Sequence, residues 1–423
     1  MVLSALLAAA LPAGLLTGCS SGGAAAPVSY VKAQNAADIT VSDAALQQAQ
    51  TGSESFGLAL LRRLGDGTSG NMVFSPQTLV DLLAMILPGA KGDTAAELSN
   101  ALGAAGLDPR TTAGALGKID ATARADGNQN SNTLDESSDV WTDKSVKLAQ
   151  DYLSTLDGAF GVGVHQTDFQ GDPNGSTQAI DDLVANETHG YIKDLFPKGS
   201  LDNTIRVVLT DAVYLDAAWA TKFDPDKTAN GDFYPAAGGT QQVSMMNAQG
   251  GYAYSSSSDW QALELPYAGG KLAMDILLPS KGGLASFRDS LSATELNAIL
   301  NSLTPQQVNL SLPKFTADYS PKNLKQSLTA LGLGGLFKPG AADLTGVTSD
   351  AEQLYVSQVV EKAHIQVAEN GTVAAAAAGG GMAATAARQP AQISFVADHP
   401  FLYLIRDVST GQLLFAGQQT TGS

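Results

Sequence analysis

The sequence predicts an α+β protein whose sheets are mainly antiparallel. Segments with helical apolar spacing dominate the first half of the 423-residue chain, and hairpin strands dominate the second half. Helices and strands that are segregated along the chain favour α+β packing over alternating β-α-β units. No stretch between Gln50 and the C-terminus has the composition of a linker, so we expect one large domain there.

The helices are predicted from apolar spacing and start signals. Phe56, Leu60 and Leu64 share one face of a helix over residues 51–64. A short strand leads to Ser75–Pro76, a start signal for an apolar helix that ends at residues 88–89, Pro-Gly. Further helices are predicted from Thr94, over IDDLVANETHGYIKDLF and over NLKQSLTALGLGGLF.

The strands are predicted from apolar runs, alternation and turn residues. The long apolar run IRVVLTDAVYLDAAW is typical of a strand that is buried on both faces. ALELPYAGGKLAMDILLPS predicts a hairpin turning on Gly269 and Gly270, and FLYLIRDVSTGQLLFAG predicts another near residues 409–411. VNLSLPKF alternates like a half-buried strand.

Composition and motifs exclude several classes of function. Lys plus Arg total 24 against 41 Asp plus Glu, a net charge of −17, which argues against nucleic acid, heparin-like polyanions and anionic membrane surfaces. The single cysteine, Cys19, excludes an intrachain disulfide and a cysteine-based metal site. The four histidines lack metal-site spacing, and no nucleophile elbow, phosphate-binding loop or H-E-x-x-H motif is present. We therefore expect no metal, no cofactor and no enzymatic turnover.

The N-terminus has the pattern of an export signal. An apolar Leu/Ala run, too short for a membrane span, ends in Leu-Thr-Gly-Cys19, which resembles a bacterial lipobox. We expect residues 1–18 to be a lipoprotein-type signal peptide, Cys19 to be lipidated and residues 19–45 to be a flexible tether to a domain over residues 46–423. The alternative is an ordinary signal peptide with an incidental cysteine, since no Lys or Arg precedes Cys19. Either reading predicts an extracytoplasmic protein, which in the first case is held at the outer face of the membrane only by lipid.

Six segments together resemble the serpin family over nearly all of residues 51–417. NMVFSPQTLVDLLAMILPGAKGDTAAELSNAL, IDDLVANETHGYIKDLF and VVLTDAVYLDAAWATKF are similar to family blocks, the last at Ala212, Tyr214, Trp219 and Phe223. LELPYAGGKLAMDILLP, LPKF and DHPFLYLIRDVSTGQLLFAG follow in the family's order. The resemblance implies three mainly antiparallel sheets, about nine helices and an exposed reactive loop at about residues 369–390. It also implies a monomeric suicide inhibitor of serine proteases, with a non-inhibitory binding or structural serpin as the alternative.

The stretch AENGTVAAAAAGGGMAATAAR, residues 368–388, resembles the hinge and loop of an inhibitory serpin. Such a run has too little bulk to build a core, but it suits a strand that must enter a nearly closed sheet. The resemblance assigns hinge roles to Glu369, Gly371, Thr372, Ala374, Ala375 and Ala376, and places Trp219 at the breach, the end of the sheet where the loop enters.

Family spacing from Glu369 places the bait bond between Thr385 and Ala386. Cleavage after Ala384, or between Arg388 and Gln389, stays open. Thr or Ala at the bond favours an elastase- or subtilisin-like protease, whereas Arg388 would favour a trypsin-like one.

Four residues correspond to the family's sheet-opening cluster, with one departure. Ser75 and Thr78 are retained, but Asp211 and Glu361 stand where the family usually has Asn and His. We expect the two acids to lie close enough that one carboxyl has a raised pKa. The alternative is that one of them has rotated into solvent.

Overall fold

The computed structural model describes residues 25–66, 70–348, 350, 353–372 and 393–422. Within these ranges the chain forms nine α-helices. Their bounds are α1 Asp43–Gly65, α2 Pro76–Ile86, α3 Gly92–Ala101, α4 Pro109–Gly127, α5 Gln150–Phe160, α6 Pro173–Glu187, α7 Leu284–Ser290, α8 Ala293–Ser302 and α9 Leu324–Leu328.

The described residues also form sixteen strands. The first eight are β1 Ser29–Val31, β2 Met72–Phe74, β3 Thr133–Asp143, β4 Val164–Thr167, β5 Val207–Ala218, β6 Ala229–Phe233, β7 Gln241–Ser256 and β8 Trp260–Pro266. The others are β9 Leu272–Pro279, β10 Thr304–Pro313, β11 Phe315–Tyr319, β12 Gln358–Ala368, β13 Gly371–Thr372, β14 Ile393–Val396, β15 Phe401–Asp407 and β16 Leu413–Gln419.

The central sheet has seven strands in the order β1-β4-β3-β5-β13-β12-β11. Most neighbours are antiparallel, but β12 runs parallel to β5 and β4 runs parallel to β3. Strand β13 is so short that β5 and β12 also pair directly, residues 208–213 with residues 358–363. We call this directly paired stretch the seam.

The remaining strands form a nine-stranded sheet in which β14-β10-β7-β8-β9-β15-β16-β2 are neighbours and β6 also pairs with β7. The two further sheets implied by the resemblance are joined here in one ladder, because β7, sixteen residues long, pairs with β6 over residues 241–245, with β10 over residues 245–254 and with β8 over residues 253–256. The α+β architecture with mainly antiparallel sheets is confirmed.

Both faces of the central sheet are covered, which explains the continuous apolar sequence of β5. Val208 and Ala212 pack in a cluster with Ile180 and Val184 of α6. Val207 and Leu209, which alternate with them, pack on the opposite side in the core that contains α2, α4 and α5. Val360 of β12 packs against the α6 cluster, so α6 lies across the seam.

The expected tether over residues 19–45 is wrong for its described part, residues 25–45. Strand β1 adds to the edge of the central sheet beside β4, and Ala37 donates a backbone hydrogen bond to Ser154 of α5 (2.8 Å). A Cβ atom on Gly163 would lie 2.3 Å from the carbonyl oxygen of Val31, so this glycine permits the close approach. The segment is therefore packed onto the domain, a contact that has no local signal in its polar, Ala-rich sequence.

Several helix and strand predictions are confirmed, with shifted ends. Helix α1 starts at Asp43 rather than near residue 51, because the Ser42 side chain accepts a hydrogen bond from the backbone N–H of Ala45 (3.2 Å). Helix α2, strand β5 and the hairpin β8–β9 lie where the sequence places them. None of the helices within the described ranges is long and apolar enough to cross a membrane.

Candidate functional site

The candidate site begins at β13, where the chain after β12 turns back into the central sheet. Gly371 and Thr372 lie between β12 and β5 and pair antiparallel with both strands. Thr372 faces Val367 of β12 on one side and Ala217 of β5 on the other. The start of the predicted loop therefore already occupies the position of a central strand.

The backbone at Gly371 explains why this position is glycine. A Cβ atom there would lie 2.0 Å from the carbonyl oxygen of Ala217, and φ is +153°. Any side chain would push the chain away from β5.

An aromatic pair holds Thr372 in place. The Tyr267 hydroxyl lies 2.6 Å from the Thr372 hydroxyl, and Thr372 is fully buried. The Tyr267 ring stacks on Trp219 at 4.6 Å between centroids. The Trp219 indole N–H donates to the carbonyl oxygen of Ala368 (2.8 Å), so Trp219 lies beside the end of β12, close to β13.

Glu369 anchors the turn before β13. Its carboxylate forms an ion pair with Lys314 (2.8 Å) and accepts a hydrogen bond from the Thr228 hydroxyl (2.9 Å). Phe223 donates its backbone N–H to the Glu369 carbonyl oxygen (2.9 Å). Partial burial alone would raise the pKa of this carboxyl, but the contacts with Lys314 and Thr228 lower it below its ordinary value. The turn is thus held by a charged carboxylate at neutral pH.

The expectation of an exposed loop from residue 369 is wrong for its first residues. Glu369, Gly371 and Thr372 are in or beside the sheet, because hydrogen bonds from two strands are available there. The remaining predicted loop, bait and lipidation positions lie outside the described residues; they are Ala374, Ala375, Ala376, Ala384, Thr385, Ala386, Arg388, Gln389 and Cys19.

The seam brings together the four residues of the predicted sheet-opening cluster. Asp211 and Glu361 are direct partners across it, and neither has rotated into solvent, with exposed fractions of 0% and 1%. The Thr78 hydroxyl donates to Asp211 Oδ2 (2.5 Å), and the Ser75 backbone N–H donates to Glu361 Oε1 (2.5 Å). Ser138 of β3, which the sequence did not single out, donates its hydroxyl to Asp211 Oδ1 (3.3 Å).

Burial perturbs both seam carboxyls. Desolvation raises the pKa of Asp211 to about 7, against the opposing effect of the hydrogen bonds from Thr78 and Ser138. Desolvation, followed by repulsion from Asp211, raises the pKa of Glu361 well above its ordinary value. Both carboxyls of the pair, rather than the one expected from the sequence, therefore have a raised pKa.

More acidic side chains lie next to the seam on α2, α4 and β3. Desolvation first, and neighbouring carboxylates second, raise the pKa values of Asp81 and Glu136 well above their ordinary range. The Arg124 Nε atom lies 2.9 Å from a carboxylate oxygen of both Asp120 and Glu136. This cluster was not predicted from the sequence, although the i, i+4 spacing of Asp120 and Arg124 is a local signal for their pairing.

The site thus consists of a two-residue strand held between β5 and β12 at the start of the predicted loop, next to a buried seam with two facing carboxyls, and comparison with known proteins identifies the family. A family model described as "Serpin (serine protease inhibitor)" matches residues 51–421, most of the chain, so this chain belongs to the serpin family. An uncharacterised serpin-like protein of Thermococcus kodakarensis is 34% identical over 86% of this chain and 83% of that protein.

The chain is also similar to a human protein and to a serpin of known structure. The human leukocyte elastase inhibitor is 31% identical over 88% of this chain and 99% of its own length. The crystal structure of the thermophilic serpin tengpin in its native state matches with a TM-score of 0.82, over 93% of this chain and 99% of that one. At 23% identity the latter likeness shows the fold alone.

Proposed function

We propose that this protein is a suicide inhibitor of serine proteases that traps its target by inserting its reactive loop into the central sheet. The observation that carries the proposal is β13. Gly371 and Thr372 already pair with both β5 and β12, so the sheet accepts the first residues of the loop.

The pairing register of β13 predicts which residues of β5 and β12 would flank the rest of the loop after insertion. Antiparallel pairing continued from Thr372 by six residues would place residue 378 between Asp211 and Glu361. Residues 373–378 are one Val followed by five Ala, small uncharged side chains that fit between two strands with little steric resistance.

The chemistry before insertion belongs to the protease. Its serine oxygen attacks the bait carbonyl, the peptide bond breaks, and the loop's new carboxyl end stays attached as an ester while the other fragment leaves with the amine. Insertion of the attached half then forms new ladder hydrogen bonds worth about 1 kcal/mol each. About ten of them supply on the order of 10 kcal/mol, which drags and deforms the protease before water cleaves the ester.

The test is incubation with elastase, subtilisin and trypsin, followed by denaturing gel electrophoresis. An inhibitor gives a covalent complex that survives denaturation. Cleavage without complex at every protease-to-protein ratio would instead make the chain a non-inhibitory serpin.

We propose the Thr385–Ala386 bond as the bait, because family spacing from Glu369 places it there, and its small side chains favour an elastase- or subtilisin-like protease. We expect mass spectrometry of the released fragment to show Ala386 at its N-terminus. A fragment that starts at Gln389 would move the bait to Arg388 and the target to trypsin-like enzymes.

We also propose that Cys19 carries lipid and holds the inhibitor at the outer face of the cell membrane. In a bacterial host, we expect the full chain in the membrane fraction and the Cys19→Ser variant released from it. If the parent and the Cys19→Ser variant partition equally, the protein is exported without a lipid anchor at Cys19.

A further inference from the structure

We propose that the seam is a pH-operated latch: protonation of the Asp211–Glu361 pair holds β5 and β12 together, and loss of these protons favours their separation. The inference rests on the proposed function, since it describes how the sheet opens for the loop. It adds a regulating variable, the proton, to that mechanism.

The geometry makes these two side chains sensitive to separation of the strands. They stand opposite each other in the parallel register of the seam, and both are buried. The hydrogen bonds that they accept come from neutral groups of Ser75, Thr78 and Ser138. Among the described residues, Glu361 Oε2 has no hydrogen-bond partner at all.

Opening changes the environment of the pair in a defined direction. Neighbouring strands lie about 4.8 Å apart, and a strand inserted between them doubles that spacing to about 10 Å. Separation weakens the repulsion between two carboxylates and gives them access to water, but it brings no such gain to two neutral carboxyl groups. Ionisation therefore favours the open seam, and protonation favours the closed one.

The sign of the pH dependence follows from linkage. The pKa of Asp211 is raised from 3.8 to about 7 in the closed seam, and opening lowers it toward the ordinary value. Opening therefore releases a proton, and its equilibrium constant rises by up to about tenfold per pH unit as pH climbs to about 7. Glu361, whose pKa lies well above its ordinary value, extends the rise to higher pH.

The charged groups around the pair also favour a raised pKa for Asp211 in the closed seam. Desolvation raises the pKa of Asp211 most, and the nearby cation Arg124 lowers it by less than Asp139 raises it. His165 of β4 lies 3.3 Å from Asp139. The charged or titratable groups that act on the pair or on its neighbours include Asp81 on α2, Asp120 and Arg124 on α4, Glu136 and Asp139 on β3, His165 on β4 and Glu187 on α6.

Hydrogen exchange in the intact protein tests the latch without any protease. After correction for intrinsic exchange, we expect protection of the backbone amides in residues 208–213 and 358–363 to fall at least about tenfold from pH 5.5 to pH 7.5. Amides paired between β15 and β16 report on global stability and should change less. Asp211→Asn, the residue usual in the family, should remove most of the fall, and Glu361→Gln should do so in part.

Asp216→Asn is the matched control, since Asp216 lies on the same strand but outside the seam. It should keep the parental pH dependence. Equal protection at both pH values in the parent, or an undiminished fall in Asp211→Asn, would overturn the latch. The proposed function fails separately, if cleavage of the loop by subtilisin does not raise the thermal midpoint of the protein.

Discussion

Thr372→Arg is expected to turn the inhibitor into a substrate that is cut at the same bond but leaves the protease active. Thr372 is fully buried between β5 and β12 and bonded to Tyr267, so an arginine cannot remain there without burying an unpaired cation. Such burial costs several kcal/mol even after relaxation. A barrier raised by about 3 kcal/mol slows insertion roughly a hundredfold, while deacylation, which belongs to the protease, keeps its rate.

We expect the native fold to survive this change, because the two residues of β13 can withdraw while β5 and β12 keep their direct pairing. The measurement is the ratio of covalent complex to cleaved protein on a denaturing gel. Thr372→Ser keeps the hydroxyl that faces Tyr267 and should behave like the parent, and Ala383→Arg tests an arginine placed later in the loop. Parental yields of complex from Thr372→Arg would mean that loop insertion is not how this protein works.

Strong local patterns allowed much of the fold to be predicted. The apolar run of β5, the Ser75–Pro76 start of α2 and the Gly269–Gly270 turn each depend on neighbours in sequence, and each is confirmed. The packed segment 25–45 was not predicted, because its partners lie on β4 and α5, more than a hundred residues away. Polar, small-residue sequence gives no sign of such long-range pairing.

The candidate site, like the fold, could be predicted only in part. The family resemblance placed Ser75, Thr78, Asp211 and Glu361 together, and the structure does so. It could not place Thr372 inside the sheet, because that depends on whether β5 and β12 leave room at their ends. Tyr267 and Lys314 were missed for a related reason: each is an ordinary strand-flanking residue until the turn at residues 369–372 folds against it.

The second large effect is expected from Arg124→Met. Arg124 is paired with both Asp120 and Glu136, and the Glu136 side chain is fully buried. Removal of one partner from a buried ion pair destabilises a protein by about 3–5 kcal/mol, because the remaining charge is left without compensation. Arg124 keeps 38% of its side-chain surface in water, which screens the interaction, so we expect a loss near the lower limit, about 3 kcal/mol.

The loss of stability should be larger at high pH than at low pH, and this direction identifies the charge of Glu136 as its cause. Without Arg124, the pKa of Glu136, already raised by burial, rises further, so the folded state gains affinity for a proton. Stability is then retained at low pH and lost as pH rises. Urea unfolding of Arg124→Met should show a small deficit at pH 5 and the full deficit at pH 8. Glu136→Gln added to Arg124→Met should restore much of the stability at pH 8, since the buried acid that needed the cation is gone. A deficit that is equal at both pH values, and that Glu136→Gln does not relieve, would show that Arg124 acts through packing of its side chain and not through its charge.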